Sequence, residues 1–326
     1  MYTKEIELRR HSTTAERELS KQILKDRVYG EIPQKPLHLD YKTSYCDENF
    51  AAGHATFRKM ELIMEIGTKN AILPFTAVIP HSLRPCPAII SIDREDFVPN
   101  KFLPAEEIVQ RGYAIFSFCY EHVAANNSNF KSGLTKYIAK SRKRKNAPGK
   151  LAIIAWAAMR IADYAVSLAS VDGENLIVSG HGMLGKAALL AAAFDERFEY
   201  VIANDSIGFG CGKSAAEMSV SSDFLFCPDF GESNENRNGT NEHRLLLNSC
   251  APRFILIGSC EDDPRSDPEA EFEAIASLGE NDFTHFHTRC GTHYFSRDDW
   301  KNYLDFIDKK RGFDNNSLHY QPNLRA

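Results

Sequence analysis

"LIVSGHGMLGKAALLAAAF", residues 176–194, decides the fold. Leu176, Ile177 and Val178 make an apolar run of buried-strand length, Gly180, Gly182 and Gly185 allow a sharp turn, and the alanine-rich stretch 185–194 predicts a helix. A strand that runs through a tight glycine turn into a helix lifts its apex residue clear of the sheet. When that apex is serine, in the pattern G-x-S-x-G, its hydroxyl is displayed as a nucleophile. Here the apex is Gly182. What such a turn does without a hydroxyl is the question this sequence poses.

On either side the chain repeats strand then helix. "KMELIMEIG" (59–67) and "LPFTAVIP" (73–80) predict two paired antiparallel strands, the second with Phe75, Ala77 and Ile79 at period two. Buried strands follow at 87–92, 113–118, 175–179, 200–204, 253–259 and 283–288, and helices at 104–112, 150–166, 185–194, 268–278 and 296–310, the last opened by Ser296 as N-cap. Continuous apolar strands alternating with helices imply an α/β fold, a mostly parallel central sheet covered on both faces. Residues 1–45 are polar and helix-prone and read as an N-terminal extension, 46–312 as the domain, and 313–326 as a tail. The polar segments 119–148 and 207–250 break the rhythm after strand ends. Ligands of parallel sheets bind there, so these insertions are expected to shape the site.

With 43% hydrophobic and 25% charged residues in 326, the chain has the composition of a folded domain. A net charge of −5 supplies no basic field for nucleic acid or an anionic membrane. The N-terminal segment has no apolar core of a secretory signal, and the longest apolar run, "LAIIAWAAM", stops at Arg160, too short for a membrane span. Eight cysteines contain no C-x-x-C pair and lie mostly in apolar segments, which points to free thiols in a reducing compartment and a cytoplasmic location. No cofactor is implied, and the sequence does not encode a readable oligomeric state. The cation run Arg142–Lys145 reads first as a solvated loop and second as a patch for an anionic ligand such as a uronate.

"SGHGMLGKAALLAAAFDERFEYVIANDSIG" resembles the nucleophile region of the α/β-hydrolases grouped with glucuronoyl esterases and bacterial acetylxylan-esterase-like proteins. Their elbow reads G-[HC]-S-R-x-G-K, followed by "AAFDERF" and a strand end N-[DE]-S-G or Q-E-S-G. "PAEEIVQRGYAIFSFCY", "GKLAIIAWAAMRIADY", "HRLLLNSCAPRFILIGSCEDDPRSDPEAEF" and "GTHYFSRDDWKNYLDF" are similar to matching segments in the same order, so the resemblance covers about residues 60–310. It implies the α/β-hydrolase fold and a small-molecule or carbohydrate ester as ligand. Gly180, His181, Gly185 and Lys186 fit the elbow; Gly182 stands at the serine and Met183 at the arginine that helps bind the oxyanion. Methionine donates no side-chain hydrogen bond, but the Met183 backbone N–H could still serve as half an oxyanion hole.

The resemblance places His293, in "RCGTHYFSRDDW", at the triad histidine. Its acid has two candidates: Asp262 in "CEDDPRSDP", with Glu261 and Asp263 beside it, or Asp205 in "ANDSIG", where glucuronoyl esterases keep a glutamate. Ser179, Ser206, Cys211 and Cys260 lie near strand ends without the elbow geometry of a nucleophile. His285 and His287 share a strand face with His293 beyond, which invites a zinc reading. No carboxylate or cysteine completes the set, and no metal is expected. The expected function is a degenerate, esterase-like protein that binds without efficient turnover. The alternatives are an ester hydrolase using His293-activated water or an off-position nucleophile, and an interaction protein whose cleft is a relic. If Met183 is the missing oxyanion donor, Gly182→Ser alone restores little and Gly182→Ser with Met183→Arg restores more.

Overall fold

The computed structural model describes residues 13–139, 141–206, 220–231, 240–263, 267–279 and 281–313. Nine strands form one sheet in the order β1-β2-β3-β5-β4-β6-β7-β8-β9. They are β1 (Leu39–Asn49), β2 (Ala55–Ile66), β3 (Lys69–Pro80), β4 (Cys86–Asp93), β5 (Ala114–Cys119), β6 (Val171–His181), β7 (Phe198–Asn204), β8 (Phe254–Cys260) and β9 (Thr284–Arg289). From β5 through β9 neighbours run parallel, whereas β1, β2, β3 and the β3–β5 pair are antiparallel. This is the α/β-hydrolase sheet.

The antiparallel part has three strands where apolar alternation predicts two. The additional strand, β1, straddles the expected end of the N-terminal extension. Its sequence, "LDYKTSYCDEN", is exposed along most of its length. An edge strand with one neighbour needs little apolar patterning, since backbone hydrogen bonds to β2 hold it.

Alternate strand residues feed two cores. Ile90, Phe116 and Val178 face one, and Ile89, Ile115 and Ile177 the other, all fully buried. Each such side chain contributes roughly 1.5–3 kcal/mol through burial. The longer helices are α1 (Thr14–Ile23), α2 (Ala105–Gln110), α3 (Lys150–Ala165), α4 (Met183–Phe194), α5 (Thr240–Cys250), α6 (Pro268–Ala276) and α7 (Arg297–Lys310). Residues of α3, α4 and α5 fill the first core, and residues of α2 and α7 the second. α3 and α4 are apolar nearly all round and buried accordingly. α5 falls inside the segment expected as an insertion at 207–250. Residues 207–219 and 232–239 of that segment lie outside the described residues. Among the described residues no helix is long and apolar enough to cross a membrane.

Candidate active site

The parallel register brings four strand ends level: Ile92 of β4 pairs with Gly180 of β6, His181 with Asn204 of β7, and Asn204 with Gly258 of β8. β6 ends at His181, and α4 begins at Met183, two residues earlier than the alanine run suggests. Between them Gly182 has φ +60° and ψ −127°. An L side chain in such a conformation is strained by roughly 1–3 kcal/mol, which glycine avoids. The Gly182 N–H donates to Asn204 O at 2.9 Å. Gly180 permits the close approach of α4, because a Cβ there would stand 2.2 Å from Leu184 O. Lys186, fully buried in α4, pairs with Glu242 Oε2 at 2.6 Å, and Tyr29 donates its hydroxyl to the other Glu242 oxygen. The elbow is therefore built as backbone and scaffold, without a nucleophile at its apex.

His293 reaches this apex from the loop after β9. A Cβ on Gly182 would stand 3.0 Å from His293 Nε2. Its other nitrogen, Nδ1, lies 2.6 Å from Asp205 Oδ2 and 3.0 Å from Asp263 Oδ2. Two carboxylates thus face one imidazole N–H. Asp205 follows β7 at φ +53°, its N–H donating to Gly258 O at 2.7 Å. Burial works to raise its pKa, but hydrogen bonds from His293 and Cys260 and the nearby histidines outweigh it, leaving the carboxyl below its ordinary value. The histidine loop is clamped by Arg289, whose Nε donates to Asp299 at 2.9 and 3.1 Å while its Nη2 bonds the Thr292 and Tyr294 carbonyls.

Asp262 is placed differently from the expectation. Its exposed carboxylate accepts the Gly291 N–H at 2.7 Å and shapes the histidine loop from below. The neighbouring Asp263 is the buried carboxylate turned to the imidazole. Glu261 accepts from Cys290 Sγ at 3.4 Å.

The side chain that sequence reasoning missed is Arg94. Its Nη2 lies 3.4 Å from His293 Nε2, and 3.0 Å from where a Cβ on Gly182 would stand. Asp93, at the end of β4, accepts from the Arg94 and Glu95 amides at 2.6 and 3.2 Å and from Asn100 Nδ2 at 2.9 Å. Cys119 Sγ donates to the Arg94 carbonyl at 3.3 Å. A signal existed: "DRED" directly follows a buried strand, and residues just past the carboxyl ends of parallel strands face the ligand.

His181 lies against His293, with ring centroids 4.1 Å apart, and its Nδ1 meets Asn204 Nδ2 at 3.1 Å. Burial first, then the neighbouring His293 and Arg94, holds its pKa down to about 3. Atoms of His181, Asp205 and His293 lie within 4.8 Å of one another. The two rings pack against each other at a tilt of 32°. His285 and His287 turn instead to α7, bonding Asn302 Oδ1 at 2.5 Å and Asp299 Oδ1 at 3.0 Å.

The other candidate nucleophiles are poorly suited. Ser179 and Ser206 are fully buried. Burial and then Asp205 push the Cys260 thiol up to about 12, far from a thiolate. Cys211 lies outside the described residues. The cation run joins neighbouring segments: Arg142 donates to Phe226 O at 2.9 Å, Arg144 pairs with Glu31 at 3.0 Å, and Lys145 with Asp229 at 3.5 Å.

Comparison with known proteins agrees with this architecture. The family described as "Glucuronyl esterase, fungi" matches residues 64–263. The carbohydrate esterase MZ0003, from an unknown prokaryotic organism, is 27% identical over 240 residues, covering 62% of this chain and 55% of its own length. The chain thus spans little more than half of that relative. A glucuronoyl esterase from Solibacter usitatus superposes with a TM-score of 0.79 at 22% identity, over 90% of this chain and 92% of that one. A glucuronoyl esterase variant from Sporotrichum thermophile, solved in complex with methyl 4-O-methyl-β-D-glucopyranuronate, superposes at 0.65 with 18% identity, over 90% and 80%.

Proposed function

This chain belongs to the glucuronyl esterase family, and from that premise we propose that it is a member in which the serine route to ester cleavage is closed and the cleft binds a uronate-type carbohydrate ligand without efficient turnover. The observation that carries the reading is Gly182. It occupies the apex at which His293 Nε2 is aimed, and it offers that histidine no hydroxyl to deprotonate. Ser179, Ser206 and Cys260 do not replace it, being buried and, for Cys260, far from ionisation. The ligand class rests on family membership and on the uronate ester bound by the Sporotrichum thermophile relative. The unpaired cysteines of the described residues support placing the chain in a reducing compartment, the cytoplasm. A fluorescent-protein fusion found outside the cytoplasm would contradict that placement.

One observation favours a second reading. With Nδ1 turned to Asp205 and Asp263, His293 keeps the orientation of a general base, and a water over Gly182 could be activated there. Hydrolysis of methyl glucuronate and p-nitrophenyl acetate by the natural chain and by His293→Ala separates the two. The proposed function expects no turnover above background by either protein, together with thermal stabilisation by the uronate. Turnover abolished by His293→Ala would establish a His293-dependent hydrolysis, by activated water or an off-position nucleophile. Neither turnover nor stabilisation would mean that the cleft is a relic.

A further inference from the structure

The elbow lacks its guanidinium as well as its serine, yet a guanidinium stands over the apex. β4 and β6 are adjacent and parallel with Ile92 opposite Gly180. Arg94 and Gly182, each two residues further on, therefore leave the sheet side by side. Arg94 Nη2 would lie 3.0 Å from a Cβ on Gly182, the place from which a serine hydroxyl would project. Its backbone is fixed from both sides, by Asp93 at the amide and Cys119 at the carbonyl, while the residue itself is exposed at the cleft. Position 183 is the reverse case. Met183 is 5% exposed and belongs to the main hydrophobic core, so its side chain points away from any ligand.

We propose, building on the reading of a ligand-binding cleft, that Arg94, from the strand end beside the elbow, holds the ligand's carboxyl group over Gly182. The site should then select charge. A free carboxylate gains a charge-assisted pair with Arg94 that an ester, being neutral, gains only in part. The preferred ligand is thus the free uronate rather than its ester.

Calorimetric titration of the full chain with glucuronate and with methyl glucuronate tests this. The natural chain should bind the acid more tightly than the ester. Arg94→Gln should weaken the acid by about 10- to 100-fold, the scale of a lost charged hydrogen bond, with little change for the ester and an unchanged Tm. Arg94→Lys should recover part of the preference. Equal weakening of both ligands, no weakening of either, or no binding of either by the natural chain overturns the assignment.

A second arm does not depend on ligand identity. In chains carrying Gly182→Ser, p-nitrophenyl acetate hydrolysis should be similar with and without Met183→Arg, and should fall by about 10²-fold with Arg94→Gln, as on loss of an oxyanion donor. A requirement for Met183→Arg would overturn the role given to Arg94. Failure of the binding-only reading looks different. There the natural chain would hydrolyse the ester, and the effect of Arg94→Gln would still be readable from kcat/KM.

Discussion

The two halves of the cleft keep their strain in opposite places. On the acid–base half, Asp205 holds a left-handed φ of +53° without being glycine, and two buried carboxylates converge on one imidazole N–H. On the nucleophile half, the apex has φ +60° but is glycine, so the conformation costs little. One half still carries the cost of holding a histidine in a working orientation, and the other has shed the cost of displaying a hydroxyl. The difference teaches that the elbow backbone is held by the fold and the histidine by its site. Gly180 and Lys186 dock α4 whether or not a nucleophile follows β6. The Arg289–Asp299 clamp and the Asp205 turn chiefly aim His293.

The strongest way to break this comparison is to attack the scaffold of the elbow. Glu242→Ala would take from the buried Lys186 its carboxylate partner, and removing one partner of a buried ion pair costs roughly 3–5 kcal/mol. Denaturant unfolding should register a loss of that size. A loss below about 1 kcal/mol, the range of an exposed pair, would mean that packing alone holds α4. Next in size is the strain test. Gly182→Ala should lower stability by roughly 1–3 kcal/mol because alanine must adopt φ +60° and its Cβ must displace His293 and Arg94. A neutral result would show that the apex relaxes freely, and the contrast with Asp205 would collapse.

How much of this was legible depended on whether a residue's role was local. The glycine turn, the apolar strands and the Ser296 cap are written in short-range pattern, whereas His293 is placed by the family resemblance alone. The acid after β8 was legible only to within a residue. Three consecutive acidic side chains, Glu261, Asp262 and Asp263, fan out in different directions, and only the turn after Cys260 decides that Asp263 faces the imidazole while Asp262 takes the Gly291 amide. Arg94 was legible only as a residue just past a strand end, and not as a neighbour of His293, 199 positions away. The register of β4 against β6, which brings them together, is not encoded locally. β1 escaped because an edge strand needs backbone bonds more than apolar alternation.

The smallest expected effect lies where the halves touch. His181 belongs to the elbow and lies against His293 of the other half, buried and held at a pKa near 3 by burial, His293 and Arg94. Unfolded, the same imidazole titrates near its ordinary value of about 6.5. Because folding depresses the pKa, the unfolded state takes up the proton first as pH falls. Stability from a neutral buried His181 is thus complete above about pH 6.5 and declines through the window down to about 3, by at most about 1.4 kcal/mol per pH unit. His243, also buried and depressed, adds a parallel slope. Asp205, whose pKa is lowered, has the same sign lower down: its contribution is present above the unfolded carboxylate value and is lost as pH falls below it. His181→Asn removes one of these slopes and leaves the others. The stability difference between the natural chain and His181→Asn, measured by urea unfolding at pH 7, 6 and 5, should therefore shift towards the variant by about 1 kcal/mol per unit below pH 6.5. Parallel curves would mean that His181 is protonated in the folded protein, alongside Arg94, and that the elbow half is polar and solvated rather than the dry support on which the comparison rests.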